Sequence, residues 1–283
     1  MEEVFERKLS YTSLATFRRC KMRYKWKYID DYAPPSSINQ AMGGVGHAGL
    51  GAWYTSLADE LSTEEAKEAA FQAADLKLSE YERELGNELP DTWDNASLIL
   101  DRYFDWSLGN DSFVAHEIEH KFELRIDDFV IIGYIDGIVE LERDGSLWIL
   151  EHKFTKQVRT KHLEIDPQIS LYMLAARATG FDVRGAYYNV VRTTITGKAE
   201  KEPVVRMPVY RNNEGLEQVV RELIWQMNEI RAFHAQNGEN AYRNETMDCS
   251  WDCGFFNACL CMNDDGNPKP ALRMIPLRDR IGE

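Results

Sequence analysis

The hydrophobic pattern changes period at about residue 113, and that change decides the fold class. Phe122, Leu124 and Ile126 alternate with polar neighbours, Val130 to Leu141 is rich in isoleucine and valine, and Leu147 to Leu150 is a third apolar run. Asp127-Asp128 and Asp144-Gly145 supply turns between them. A period of two interrupted by turns is the pattern of a three-stranded meander. Helical spacing lies on both sides. Residues 10–28 predict a helix with Ser10 as N-cap, ended before Pro34 and Pro35. Residues 41–57 also predict a helix, although five glycines stand in it. Each costs about 1 kcal/mol in a helix, so something is expected to pack closely against that backbone. Ser62 and Glu65 form a capping box for a helix over 62–85, and another helix is expected over 92–107. These two read as a helical insertion spanning 60–110. After the meander, Asp166 as N-cap, Pro167 at the first position and Gly180 at C′ mark a helix. Strands are expected near 184–192 and 203–210, and a long amphipathic helix over 213–236. Helix, three strands, helix, strand is the order of an α/β sandwich core, not of a doubly wound sheet.

The chain has 283 residues, with 33 Lys plus Arg against 47 Asp plus Glu and a formal charge of −14. That argues against a non-specific basic binder of nucleic acid. It leaves room for an enzyme that meets DNA through a local basic strip and bound metal ions. The polar opening MEEVFERKLS carries no signal-peptide pattern, and no apolar run approaches the ~18 residues of a membrane span. A cytoplasmic location with reduced thiols is therefore expected.

Two carboxylates interrupt apolar runs in the meander. Asp136 lies in GYIDGIV on the second strand, and Glu151 and Lys153 lie in ILEHK at the end of the third. Positions 151 and 153 share one face of a strand. A charge at the end of a buried strand is costly unless it is paired or metal-bound. Two carboxylates facing a lysine across a hairpin suit a Mg²⁺ or Mn²⁺ site for phosphodiester hydrolysis, since hard oxygen ligands hold the cation and the cation activates a water. Each carboxylate alone also fits a solvated strand residue. Glu117 and Glu119 on the first strand lie within reach of such a metal, but an exposed strand face explains them better. His116, His120, His162 and His234 show no ligand spacing.

Taken together, these motifs resemble the RecB-type branch of the PD-(D/E)XK nucleases. The order is SYTSLATFRRC ending at Cys20, then Gly-Val-Gly-His47, Gly-Tyr-Ile-Asp136-Gly, Glu151-His-Lys153 and Gln168-x-x-x-Tyr172. Ile135 stands where the superfamily's name has proline. The resemblance implies a restriction-endonuclease-like core, a central mixed sheet flanked by helices, formed by 113–192 within a single domain over 1–283. It implies His47, Asp136, Glu151 and the backbone carbonyl of His152 as ligands of Mg²⁺ or Mn²⁺, with Lys153 as the catalytic lysine. Gln168 and Tyr172, one turn apart on one helix face, would contact the DNA strand near the cut; Tyr172 also fits a packing role. The implied activity is a metal-dependent DNA exonuclease on single strands or ends, in recombination, repair or CRISPR-adaptation-like processing, as in phage recombination exonucleases. Partner proteins in such complexes, or a homo-oligomer, are compatible with it. The rivals are a catalytically silent DNA-binding or assembly module on the same fold and an RNA-directed nuclease. The strip Arg18–Lys27 holds six basic residues in ten, and its Tyr24 and Trp26 are candidates for stacking on bases.

Cys249, Cys253, Cys259 and Cys261 fall within thirteen residues, and Cys20 stands alone. Thiolates without histidine suit zinc or an iron–sulfur cluster. The split of Cys20 from Cys249, Cys253 and Cys259 resembles the iron–sulfur nucleases of the same branch, such as AddB-type subunits and CRISPR-adaptation nucleases. It implies a [4Fe–4S] cluster in preference to zinc, held by a loop at 245–262 that pairs with Cys20, with Cys261 spare.

Overall fold

The structure is a computed structural model and describes residues 8–34, 36–197 and 202–274. In chain order its elements are β1 (Leu9–Ser10), α1 (Tyr11–Arg19), α2 (Lys21–Tyr28), β2 (Tyr32–Ala33), α3 (Ile38–Ala58), α4 (Thr63–Leu85) and α5 (Pro90–Asn110). There follow β3 (Phe113–Ile126), β4 (Phe129–Leu141), β5 (Leu147–Thr155), α6 (Pro167–Ala178), β6 (Val183–Arg192), β7 (Val204–Tyr210) and α7 (Asn213–Ala235). Two short helices, α8 (Cys249–Asp252) and α9 (Phe256–Asp264), precede β8 (Arg273–Met274). The main sheet has the order β1-β4-β5-β6-β7, with β3 also pairing with β4. β4–β5 and β6–β7 are antiparallel, whereas β1–β4 and β5–β6 are parallel. The sheet is therefore mixed, and helices accompany it.

The chain divides into two compact units. The larger comprises Ser36–Phe122 and Tyr134–Leu216. Its core is built where α3, α4 and α5 meet each other and the sheet. Ala66, Ala70 and Ala74 repeat every four residues on α4 and are fully buried, a narrow stripe that lets α3 come close. The glycines of α3 answer it. A Cβ on Gly49 would lie 2.8 Å from Leu100, one on Gly44 would lie 2.5 Å from the Tyr81 hydroxyl, and one on Gly46 would lie 2.3 Å from the Phe154 ring. Trp53 stacks on Phe104 at 4.5 Å. The capping box at Ser62 and Glu65 starts α4, and Gly86, with φ of 72°, ends it in the left-handed region where glycine is unstrained. The Asp166 side chain caps α6 by accepting the Gln168 N–H.

The smaller unit is assembled from Met1–Pro35, Glu123–Gly133 and Glu217–Glu283. Here the first expected helix is corrected. It is two helices, broken at Cys20, whose φ of −163° and ψ of 119° are extended. Cys20 ends α1 and begins α2. Its N–H still reaches the Thr16 carbonyl and its carbonyl accepts the Tyr24 N–H, so the break loses little hydrogen bonding. Phe17, Tyr24 and Phe233 pack edge to face at 5.0–6.1 Å. Trp26 stacks on Phe255 at 5.8 Å. Among the described residues no helix is long and apolar enough to cross a membrane.

Candidate active site

Pairing of β4 with β5 runs from Glu140↔Leu147 to Gly137↔Leu150 and stops there. Asp136 and Glu151 are the first residues past the end of that ladder. β5 continues on β6 instead, with Glu151↔Tyr188 and Lys153↔Val190. In place of a ladder bond, Asp136 Oδ2 accepts the His152 N–H at 2.8 Å. Strand separation at this point puts two carboxylates from neighbouring strands beside each other.

A hydrogen-bonded chain continues from there. Lys153 Nζ donates to Glu151 Oε1 at 2.8 Å and to Gln168 Oε1 at 2.9 Å. Gln168 Nε2 donates to Glu151 Oε1 at 3.1 Å and to the Tyr172 hydroxyl at 2.9 Å. Gln168 and Tyr172 share a face of α6 because they are four residues apart. Tyr172 is also packed, its ring edge-on to Phe122 at 5.7 Å. From the other side, α3 brings His47 Nδ1 to 3.3 Å from Asp136 Oδ2. The close seat of Gly46 on Phe154 holds that helix turn down, and the His47 ring meets the same Phe154 ring at 5.5 Å.

The electrostatics follow from burial and crowding. Burial works against a charged His47, but Asp136, Glu151 and Glu119 outweigh it and raise the ring to about 9. Burial likewise opposes ionisation of Asp136, yet His47 and the His152 N–H hold it below the usual carboxylate range. Glu151 is only 3% exposed; burial and the Asp136 charge push it up, with Lys153 opposing. Lys153 stays above its ordinary value because Glu151 and other carboxylates overcome its burial. His152 is pushed down to about 3 by burial, so its ring is neutral.

Among the described residues no three His, Cys, Asp or Glu side chains form a ready-made ligand shell. The donor set nevertheless fits a divalent cation. Glu151 Oε2 is buried without a hydrogen-bond partner, a costly state for a carboxylate oxygen. Hard oxygen donors with one imidazole suit Mg²⁺ or Mn²⁺.

Glu119 is exposed, as the strand pattern implied, and the structure also sets its carboxylate close to His47 and Asp136. Loss of hydration and the Asp136 charge raise its carboxyl to about 7, with His47 opposing. Its φ of 52° is left-handed, which strand alternation cannot foresee. A support network was also missed. Tyr54 stacks over His152 at 5.8 Å, and its hydroxyl meets Tyr103 and Asp111, each at 2.7 Å. Arg206 joins Asp111 to Asn189 at 2.6 and 2.7 Å. Its members come from four elements and the Asp111 turn, so no local motif announces it.

Tyr24 and Trp26 are corrected. They are 0% and 4% exposed, held in aromatic clusters, and their faces are not open to a base. The cysteine expectation has a geometric counterpart in the smaller unit. Cys20, Cys249, Cys253 and Cys259 line one cavity of about 150 Å³, and Cys261 does not. Arg19, Arg23 and Arg243 line it too. Burial and the other three thiols push Cys259 up to about 11.

The profile of the PD-(D/E)XK nuclease superfamily matches residues 8–260. No curated protein matches the sequence. The crystal structure of a "Putative exonuclease" from Eubacterium rectale is similar at a TM-score of 0.51, with 13% identity, covering 89% of this chain and 91% of that one. At that identity the likeness is one of fold. The profile match begins at β1, ends within α9 and spans every residue of the site, and on that ground the chain belongs to the PD-(D/E)XK nuclease superfamily.

Proposed function

We propose that the protein is a metal-dependent deoxyribonuclease that hydrolyses phosphodiester bonds, acting as an exonuclease on single-stranded DNA or DNA ends. The observation that carries this reading is the arrangement of Asp136, Glu151 and Lys153 at the parting of β4 and β5, with His47 3.3 Å from Asp136. His47, Asp136, Glu151 and the His152 carbonyl would hold Mg²⁺ or Mn²⁺. Such a cation supplies positive charge to an attacking water and to the phosphate as it becomes pentacovalent. Lys153 is aimed by Glu151 and Gln168, so its ammonium meets the scissile phosphate or orients the water. Gln168 and Tyr172 extend this polar face toward the strand being cut. The expected products carry 5′-phosphate and 3′-hydroxyl ends. In this reading the protein works in the cytoplasm in recombination, repair or CRISPR-adaptation-like processing.

The same reading assigns a [4Fe–4S] cluster to Cys20, Cys249, Cys253 and Cys259. Four thiols round one cavity repel one another as thiolates, which a cationic metal core relieves. The adjoining guanidinium groups suit the net negative charge of a thiolate-bound cluster.

The test is incubation with end-labelled single-stranded DNA, double-stranded DNA and RNA, each with Mg²⁺, Mn²⁺ or EDTA. Loss of label from DNA with either metal and none with EDTA is expected. Cleavage that persists in EDTA, or metal-dependent cleavage of RNA alone, would overturn the reading.

A further inference from the structure

We propose that Glu119 is a further metal-holding carboxylate, completing with His47 and Asp136 the side of the cation site that faces α3. The inference rests on the nuclease reading above and adds a residue to it. Three observations carry it. Glu119 Oε1 lies 3.3 Å from where a Cβ on Gly51 would stand. Gly51 is one helical turn beyond His47 and on the same face of α3, so the Glu119 carboxylate lies close against the face of α3 that bears the imidazole. Glu119 also adopts a φ of 52° inside β3, a conformation that non-glycine residues rarely take within a strand. Burial along β3 alternates regularly from Ile118 to Ile126 but is out of phase before it. Glu119 itself lies on the exposed phase of that alternation, on the side that meets Gly51 of α3, whereas its neighbour Glu117 pairs with His120 at 3.7 Å. Finally, the Glu119 carboxylate has no hydrogen-bond or ion-pair partner among the described residues, and at the same site Glu151 Oε2 is buried without one. A third carboxylate on the His47 side of the site, itself without a donor, suits a cation.

The experiment is a calorimetric titration of EDTA-stripped protein with Mn²⁺, without DNA. Wild type, Glu119→Gln, Glu119→Asn, Glu117→Gln and Asp136→Ala are compared, with thermal melts to establish folding. Asparagine tolerates the left-handed backbone, so Glu119→Asn gives the result should Glu119→Gln fold poorly. Folded Glu119→Gln and Glu119→Asn should bind Mn²⁺ at least tenfold more weakly than wild type, and Glu117→Gln within twofold. Folded Glu119 variants with wild-type affinity, while Asp136→Ala loses it, would overturn the assignment; so would a wild type with no saturable Mn²⁺ binding. A DNA-cleavage assay on the same samples keeps the two readings apart. Weakened Mn²⁺ binding in the Glu119 variants upholds this inference even where the wild type cuts no DNA.

Discussion

Lys153 is the side chain on which the polar network turns, since it bridges Glu151 and Gln168. Removing it does two separable things. Lys153→Ala would take away the ammonium proposed to meet the phosphate or orient the water, and turnover should fall by at least a hundredfold, a few kcal/mol of barrier. It also leaves Glu151 buried with Gln168 as its remaining donor, which costs about 1–3 kcal/mol of stability. Asp136→Ala should lose turnover equally. It differs in stability, because it relieves the repulsion that pushes up Glu151 and Glu119; its melting temperature should stay level or rise. Paired measurements of turnover and melting temperature check both claims. Turnover surviving in either protein would sink the site. Gln168→Ala is milder. It frees the Lys153 ammonium without discharging it, so turnover should fall about tenfold with Mn²⁺ affinity unchanged. A shift in metal affinity instead would move Gln168 into the cation's ligand set.

At the scale of elements, α3 is seated by its glycines, and its five do not share one task. A Cβ on Gly43 would meet nothing within 4 Å, whereas one on Gly46 would lie 2.3 Å from the Phe154 ring. Gly43→Ala should therefore stabilise the protein by about 0.5–1 kcal/mol through helix propensity alone. Gly46→Ala has the same propensity gain, but the overlap with a packed ring costs roughly 1–3 kcal/mol and lifts the turn that bears His47. It should be less stable and less active, and Phe154→Leu in the same chain should recover part of both losses. Equal melting temperatures for the two alanine variants would refute the seating of α3 on β5. The crowding was legible in the sequence, since five glycines in a helical stretch have few other uses. The helices opened by Ser62 and Asp166 were legible for the same local reason, as was the meander. The break at Cys20 was not, because an extended residue between two helical turns leaves no mark in the pattern. Tyr24 and Trp26 looked like an accessible basic strip because Phe233 and Phe255, which cover them, come from more than 200 residues away. Glu119 is exposed as alternation implies; what the pattern could not show is its left-handed backbone and its seat against Gly51 of α3.

Across the whole molecule, the smaller unit poses a problem of chain entropy. It is made of three segments separated by long stretches of sequence, and each must be brought to the others. Arg19 donates to Asp252 at 2.7 Å, and the Met22 N–H meets the Tyr242 carbonyl at 3.0 Å. Such contacts are individually weak. A cluster held by Cys20 on one segment and by Cys249, Cys253 and Cys259 on another would tie the two covalently. Closing so long a loop lowers unfolded-state entropy by on the order of 4–5 kcal/mol, by analogy with a disulfide, and cluster binding adds to it. Hydrolysis transfers no electrons, so the proposed cluster would have a structural role. Anaerobically purified protein should be brown and carry about four iron atoms per chain. Cys20→Ala and Cys253→Ala should be colourless and melt far lower, while whatever fraction remains folded keeps nuclease activity, since the site lies in the larger unit. Cys261→Ala should stay brown and melt like the wild type, because Cys261 does not line the cavity. Metal analysis with a visible spectrum decides the matter: stoichiometric zinc without iron would refute the cluster, and a Cys20→Ala protein with full iron and unchanged melting would refute the tie.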